Sequence, residues 1–130
     1  MLYIKKIVKS LPKYLQKRLP RRVSLRIIKS KESRRLNRLY RKKNKPTNVL
    51  SFRYDSSYGE ILLTPEVIRK EARSAGNSYA YQTAWMIVHG MIDLAGVHHE
   101  GSKVIAKKVE ALEKKILKKL YGRKGKANRV

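Results

Sequence analysis

The sequence contains no cysteine and no long apolar run. Without cysteine in 130 residues, a disulfide framework and a thiolate metal site are both excluded, which fits a reducing compartment. No segment approaches the roughly 20 consecutive apolar residues that span a bilayer. The N-terminus alternates apolar and charged residues and lacks the uninterrupted apolar segment of a secretory signal. We therefore expect one cytoplasmic domain with a single core.

Acidic residues are also scarce, with 9 Asp and Glu against 33 Lys and Arg, for a net charge of +24. Residues 1–45 carry 18 basic and 1 acidic side chains, and residues 102–130 carry 11 and 2, whereas residues 46–101 carry only 4 and 6. Two basic ends around a nearly neutral middle attract a polyanion in a salt-dependent way, and nucleic acid is the expected partner. An anionic membrane surface is the competing partner, through the lysine-rich last helix. That helix is better explained as one that packs on the core.

Apolar periodicity, capping residues and turn residues predict an α+β fold: a small mixed β-sheet of about four strands packed with four to five helices. Thr64 is predicted to cap a helix that starts at Pro65, and Gly76 to end it. We expect one RNase-like domain over residues 1–121 and a basic disordered tail over 122–130. Strands are predicted at 3–8, 23–28, 48–54 and 60–63, and helices at 11–19, 30–41, 65–75, 78–94 and 102–120.

His89, Asp93 and His99 lie close together in an otherwise basic chain. His89 and Asp93 are at i and i+4 of the apolar central helix, so both project from one face. Gly96 allows the chain to reverse, which brings His98 and His99 back over the helix C-terminus, where partial negative charge favours a cation. Two imidazoles and one carboxylate with an open position describe a catalytic zinc site at the C-terminal end of the buried central helix.

Other interpretations of these residues stay open. His89 could be a buried histidine hydrogen-bonded to Asp93, with His98 and His99 on a surface loop. The zinc-protease motif H-E-x-x-H does not fit, because Gly90 takes the place of its glutamate and Asp93 that of its second histidine. Two histidines and one carboxylate also occur in non-haem iron oxygenases, but that class leaves the basic charge unexplained.

The segment H-G-M-I-D-L-A-G-V-H-H over 89–99 resembles the signature H-G-x-L-H-L-x-G-x-D-H of the YbeY family. The chain also resembles this family in four other segments: L-N-x-x-Y-R over 36–41, K-P-T-N-V-L-S-F over 45–52, G-E-I over 59–61 and the closing helix over 109–117. These blocks occur in one collinear order from about residue 23 to 120.

The resemblance implies a bacterial rRNA maturation factor that acts as a metal-dependent endoribonuclease on single-stranded RNA and in small-subunit assembly. It implies that His89 and His99 bind one Zn²⁺ together with Asp93, and that Arg41 contacts a phosphate. An arginine suits that role because its planar fork can bind a phosphate bidentately. Lys42, Lys43 and Lys45 would hold flanking phosphates, and Asp93 or Glu100 would act as general base.

The chain departs from the family signature at two positions. Asp93 replaces the middle histidine, and His98 replaces the aspartate before the last one. A carboxylate ligand lowers the charge of the metal centre and favours a harder ion such as Mn²⁺. We prefer Asp93 as the third ligand, with the alternative that His98 binds the metal and Asp93 orients His89.

The alternative function is a non-catalytic, basic RNA-binding assembly factor that keeps the fold. For both functions the expected partners are rRNA and the small ribosomal subunit, with no DNA and no membrane. A monomer is expected.

Overall fold

The computed structural model describes residues 2–98 and 101–122, and its α+β architecture confirms the predicted fold class. Of the predicted tail, only Gly122 lies within the described residues. None of the described helices has both the length and the apolar character needed to cross a bilayer. The elements in chain order are α1 (Leu2–Ser10), α2 (Lys13–Gln16), β1 (Arg22–Ile27), α3 (Ser30–Arg41), β2 (Val49–Arg53), β3 (Tyr58–Leu63), α4 (Pro65–Ala75), α5 (Tyr79–Leu94) and α6 (Lys103–Tyr121).

The sheet of the described residues has three strands in the order β1-β3-β2, and it is mixed as predicted. β1 runs parallel to β3, and β2 runs antiparallel to β3. The two faces of the sheet differ, because side chains alternate along each strand. One face packs on α5, and the other is covered in part by α3 through Leu36, which lies with Ile28, Leu50 and Leu62 in a second small apolar cluster.

The strand predicted at residues 3–8 is wrong, because this segment is helix α1. Ile4, Ile7, Val8 and Leu11 recur at helical spacing, and Ile7 and Leu11 are buried in the main core. Over so short a segment, a period of 2 and a period of 3.6 fit the same apolar residues. The helix predicted at 11–19 shrinks to Lys13–Gln16, so the described residues contain six helices and three strands, where four to five helices and about four strands were expected.

Helix α5 is the buried centre of the molecule, as its apolar sequence predicts. It packs against β2, β3, α4 and α6. Gly90 allows the close approach to the sheet, since a Cβ atom at this position would lie 3.0 Å from Cδ1 of the buried Ile61. This packing fixes where the polar side chains of α5 emerge, at the edge of the sheet beside β2.

Helix capping agrees with the sequence at some ends and not at others. Ser78 and Ser102 accept hydrogen bonds from the backbone of the first turns of α5 and α6. Gly76 ends α4 in the left-handed conformation at φ 72°. Pro65 begins α4 as predicted, but the predicted capping role of Thr64 is wrong, because its side chain makes no cap hydrogen bond. The Thr64 hydroxyl is buried without a hydrogen-bond partner among the described residues.

The two N-cap residues are therefore expected to respond differently to substitution. Ser78→Ala removes the hydrogen bond to the N–H of Tyr81, which measures 3.0 Å, and should lower the free energy of unfolding by about 1 kcal/mol. Thr64→Val is the matched control, since it removes a buried hydroxyl that bonds to nothing described and should be neutral or stabilising. Urea unfolding measures the free energy of unfolding of both variants, and an unchanged m-value shows that only stability has changed. An equal loss in the two variants would contradict this assignment of the caps.

Candidate active site

A polar cavity of about 260 Å³ lies between the end of α3, the edge strand β2 and the C-terminal half of α5. Each wall brings one kind of chemistry. α3 contributes an arginine, β2 a serine hydroxyl, and α5 with the loop after it an imidazole, a carboxylate and a second imidazole. The lining residues are Tyr40, Arg41, Thr47, Asn48, Val49, Leu50, Ser51, Phe52, His89, Asp93 and His98.

His89 is oriented by a carboxylate that the sequence did not point to. Its Nδ1 donates to Oε2 of Glu113 on α6 at 2.5 Å. The other oxygen of Glu113 accepts from Nε1 of Trp85 at 2.9 Å, and the Glu113 side chain is only 6 % exposed. Because an ionised carboxylate can only accept, the proton of a neutral His89 is held on Nδ1. The lone pair of the ring is then on Nε2.

The surroundings of His89 act on its pKa in opposite directions. Burial of the ring lowers the pKa, and the charge of Arg41 lowers it further. The hydrogen bond to Glu113 and the negative charges of Glu113 and Asp93 outweigh both, so the pKa of His89 stands above its ordinary value. The same carboxylates that favour a proton on this ring favour any cation beside it.

Asp93 is held at both carboxylate oxygens. Oδ2 accepts a short hydrogen bond from the hydroxyl of Ser51 on β2. Oδ1 lies 2.7 Å from Nδ1 of His98, whose side chain is 70 % exposed. The carboxylate is thereby fixed in the pocket, one helical turn beyond His89.

These contacts bear on the alternatives left open by the sequence. Among the described residues, the structure shows Glu113 as a hydrogen-bond partner of His89, while the contacts it shows for Asp93 are with Ser51 and His98. The signal for Glu113 was its position within the apolar stripe of the last helix, between Val109 and Ile116, where an acid is out of place unless it has a partner.

The side chain of Arg53 places a positive charge at the C-terminus of α5. Nη1 of Arg53 donates to the carbonyls of Leu94 and Arg18, each at 2.7 Å. Gly96 turns the chain at φ 92°, as the predicted reversal requires. At this helix end, the carbonyl of Leu94 is therefore paired with a guanidinium.

Arg41 lines the pocket at the last residue of α3. The basic loop that follows is tied to α3 by two buried polar residues. The hydroxyl of Ser33 exchanges hydrogen bonds with the backbone of Thr47 at 2.9 Å, and Nδ2 of Asn37 donates to the carbonyl of Lys45 at 2.8 Å. The loop geometry is therefore fixed by hydrogen bonds. Its exposed cations are Lys42, Lys43 and Lys45.

The described side chains include part of the ligand set expected from the sequence. His89 offers Nε2 with a carboxylate behind the ring, which is the arrangement of metal-binding histidines. Asp93 and His98 line the same cavity. Within residues 2–98 and 101–122, no group of three His, Asp or Glu side chains has the geometry to hold a metal ion. His99, the predicted further ligand, and Glu100, a predicted general base, lie outside the described residues.

The fold and the pocket define the class: a small α+β protein with an oriented imidazole, a fixed carboxylate and a guanidinium around one polar cavity. A family model described as Endoribonuclease YbeY matches residues 2–121. The chain belongs to this family, which confirms the resemblance seen in its sequence.

Curated relatives agree with the family model. The chain is 41% identical over 102 residues to Endoribonuclease YbeY of Polynucleobacter asymbioticus, with 75% of this chain and 65% of the relative covered. It is 40% identical over 103 residues to that of Burkholderia cenocepacia, with 75% and 60% covered. The Aquifex aeolicus protein of the same name is 36% identical over 104 residues, with 75% and 69% covered. The chain thus spans about 60 to 65% of the length of the first two relatives.

A solved structure supports the fold. The solution structure of TM1509 from Thermotoga maritima matches with a TM-score of 0.61 and 25% identity, over 92% of this chain and 82% of that chain.

Proposed function

We propose that this chain is a metal-dependent endoribonuclease that hydrolyses phosphodiester bonds of single-stranded RNA in rRNA maturation and assembly of the small ribosomal subunit. One observation carries the proposal: His89, oriented by Glu113, and Arg41 line the same cavity. An oriented imidazole presents a lone pair to a metal or a proton, and a guanidinium binds phosphate. The names of the relatives agree with this reaction.

The proposed metal is Zn²⁺, with Mn²⁺ or another divalent ion as the alternative. His89 through Nε2, Asp93 and His99 would hold it, with His98 as the alternative ligand to Asp93. When bound, such an ion polarises a phosphate oxygen and lowers the pKa of a water molecule. Ser51 would fix the orientation of the Asp93 carboxylate through its hydrogen bond.

The protein's own groups have separate tasks in this proposal. Glu113 keeps the His89 proton on Nδ1 and so leaves Nε2 directed away from it. Arg41 binds the phosphate and stabilises the extra negative charge that develops on it as water attacks. Asp93, if it is not a ligand, or Glu100 accepts the proton of the attacking water.

The basic surface suits a long polyanion. Lys42, Lys43 and Lys45 lie in the loop that follows Arg41, so they would contact phosphates on either side of the cleaved bond. Each such contact with a single strand should add about −0.7 to the log-log salt slope of binding. The proposed partners are rRNA and the small ribosomal subunit. We propose no DNA and no membrane partner, a monomer and a cytoplasmic location.

One observation favours a second function, a non-catalytic RNA-binding assembly factor that keeps the fold. Both oxygens of Asp93 are already engaged, by Ser51 and by His98. A carboxylate satisfied by protein donors is stable without a metal ion. The basic loop and the basic helices would then bind rRNA without turnover.

Elemental analysis and a cleavage assay separate the two functions. Protein purified without an affinity tag should contain about one divalent metal per chain, and it should cleave an unstructured RNA in a chelator-sensitive way. Binding of the same RNA without metal and without cleavage would establish the assembly factor instead. Failure to bind RNA at all would contradict both.

Arg41→Ala is expected to slow RNA cleavage by about tenfold or more, since one charge-assisted hydrogen bond to phosphate contributes about 1.5 kcal/mol. Arg38→Ala is the matched control. Arg38 is exposed on the last turn of the same helix and does not line the cavity. Single-turnover cleavage rates measure both variants. Equal losses would show that only general positive charge matters and that Arg41 has no specific role.

A further inference from the structure

Four aromatic rings form a continuous row on the sheet face that carries α3. The rings of Tyr40 and Phe52 lie 5.1 Å apart in an edge-to-face arrangement. Phe52 and Tyr54 follow at 6.4 Å with an interplanar angle of 23°, and Tyr54 and Tyr58 at 5.4 Å and 13°. We call Tyr40, Phe52, Tyr54 and Tyr58 the aromatic row.

Two members of the aromatic row are exposed, while Phe52 and Tyr58 are partly buried beside them. Tyr40 is 62% and Tyr54 is 58% exposed. An exposed aromatic ring leaves a large apolar area in water, so a row of them is a feature to explain by binding rather than by folding. By contrast, Tyr81, in the main core, is buried.

The hydroxyl groups of Tyr54 and Tyr58 are fixed by hydrogen bonds to polar side chains of the sheet. The hydroxyl of Tyr54 donates to Oε1 of Glu60 at 3.0 Å, and the hydroxyl of Tyr58 shares a hydrogen bond of 2.8 Å with Ser24. Glu60 is fixed in turn by Arg26 at 3.1 Å. Rings anchored by their hydroxyl groups lose little conformational entropy when a ligand stacks on them, which favours binding.

The aromatic row is continuous with the candidate active site and with positive charge. Tyr40 and Phe52 are themselves lining residues of the cavity that contains His89 and Arg41. At the other end, the guanidinium of Arg22 lies 5.9 Å from the centre of the Tyr58 ring. A ligand that stacks along the row therefore has cations at both ends.

We propose that the aromatic row binds unpaired bases of single-stranded RNA and guides the strand into the cavity. The proposal rests on the proposed function for the identity of the ligand, and it adds a base-binding subsite to it. Alternating aromatic rings and cations are the means by which proteins hold single strands, because every base has a face that can stack. A paired helix does not offer its bases in this way. Such a subsite would favour single strands over paired helices without a sequence preference.

The test is the affinity of a short unstructured oligoribonucleotide, measured by fluorescence anisotropy. A His89→Gln background, which removes the imidazole but keeps an N–H donor for Glu113, keeps the RNA intact, so binding is measured independently of cleavage. Tyr40→Leu and Tyr54→Leu should each weaken binding at least about fivefold, the lower range for losing one stacked base. Tyr54→Phe, which keeps the ring but loses the hydroxyl anchor to Glu60, should retain most of the affinity that Tyr54→Leu loses. Tyr14→Leu is the matched control, since Tyr14 is 59% exposed on α2 and does not line the cavity.

An oligonucleotide of equal length with abasic riboses isolates the stacking. The parent should bind this ligand more weakly, and Tyr54→Leu should bind it no more weakly than the parent does. The salt slope should not change in either leucine variant, because tyrosine carries no charge. Should one leucine variant fail to fold in a thermal scan, the other still tests the row at a second ring.

Two results would overturn the aromatic row as a base-binding subsite. In the first, folded Tyr40→Leu and Tyr54→Leu bind the natural oligonucleotide as tightly as the control Tyr14→Leu does. In the second, the leucine variants lose as much affinity for the abasic oligonucleotide as for the natural one, each relative to the parent. Absence of cleavage by the wild-type chain would instead count against the proposed function and would leave this binding comparison intact.

Discussion

His89→Ala should reduce cleavage of an unstructured RNA by at least about 100-fold, since a catalytic metal contributes several kcal/mol to transition-state stabilisation. RNA binding should stay nearly intact, because the cations of the basic loop and the aromatic row are unchanged. Single-turnover cleavage and anisotropy with the same RNA measure the two effects. Wild-type cleavage in His89→Ala would exclude the proposed role of this histidine.

The same substitution also bears on folding. Of the two hydrogen bonds that the buried Glu113 carboxylate accepts from Trp85 and His89, it leaves only the one from Trp85. Breaking a buried pair costs about 3–5 kcal/mol when it leaves a charge uncompensated. His89→Gln provides the control, because its amide N–H can donate to Glu113 while the imidazole is gone. A folded His89→Gln that has lost cleavage assigns the loss to the ring itself.

Glu113→Gln should weaken Zn²⁺ binding by about 10- to 100-fold, as expected when the partner behind a metal-binding histidine is removed. The amide has one acceptor oxygen where the carboxylate has two. If that oxygen accepts from Trp85, the NH₂ group faces His89 and favours a lone pair on Nδ1. The proton then moves to Nε2, the atom whose lone pair would bind the metal.

Two measurements test this arrangement. Competition with a chelator gives the Zn²⁺ affinity, and the ¹⁵N chemical shifts of the His89 ring give its tautomer in the metal-free protein. The control is Glu110→Gln, because Glu110 lies on the same helix but is exposed and pairs with Lys114 at 3.5 Å. An unchanged tautomer and an unchanged Zn²⁺ affinity in Glu113→Gln would show that Glu113 only fills the core.

Elements with a strong local signal were predicted well. α4 begins at Pro65 and ends before Gly76, and α5 begins after Ser78, because a fixed φ, a left-handed glycine and a capping hydroxyl act within a few residues. Residues 3–8 were predicted as a strand and lie in the helix Leu2–Ser10. Its local pattern is ambiguous, and burial of Ile7 and Leu11 against the core decided the outcome.

In the candidate site, too, some features follow from local sequence and others from long-range contacts. His89 and Asp93 share a face of α5 because they are one helical turn apart, which the sequence alone determines. Their partners do not follow from any local pattern. Glu113 lies 24 residues from His89, and Ser51 lies 42 residues from Asp93.

The sequence by itself determined the fold class, the basic charge, the family and the pair of side chains that the central helix directs to one side. These properties depend on composition and on spacing within single elements. Tertiary structure alone decided which carboxylate orients His89, which groups hold Asp93, and that aromatic side chains from α3, β2, the turn after it and β3 form one row. Such contacts depend on how α6 and the sheet pack around α5, and packing joins residues that are distant along the chain.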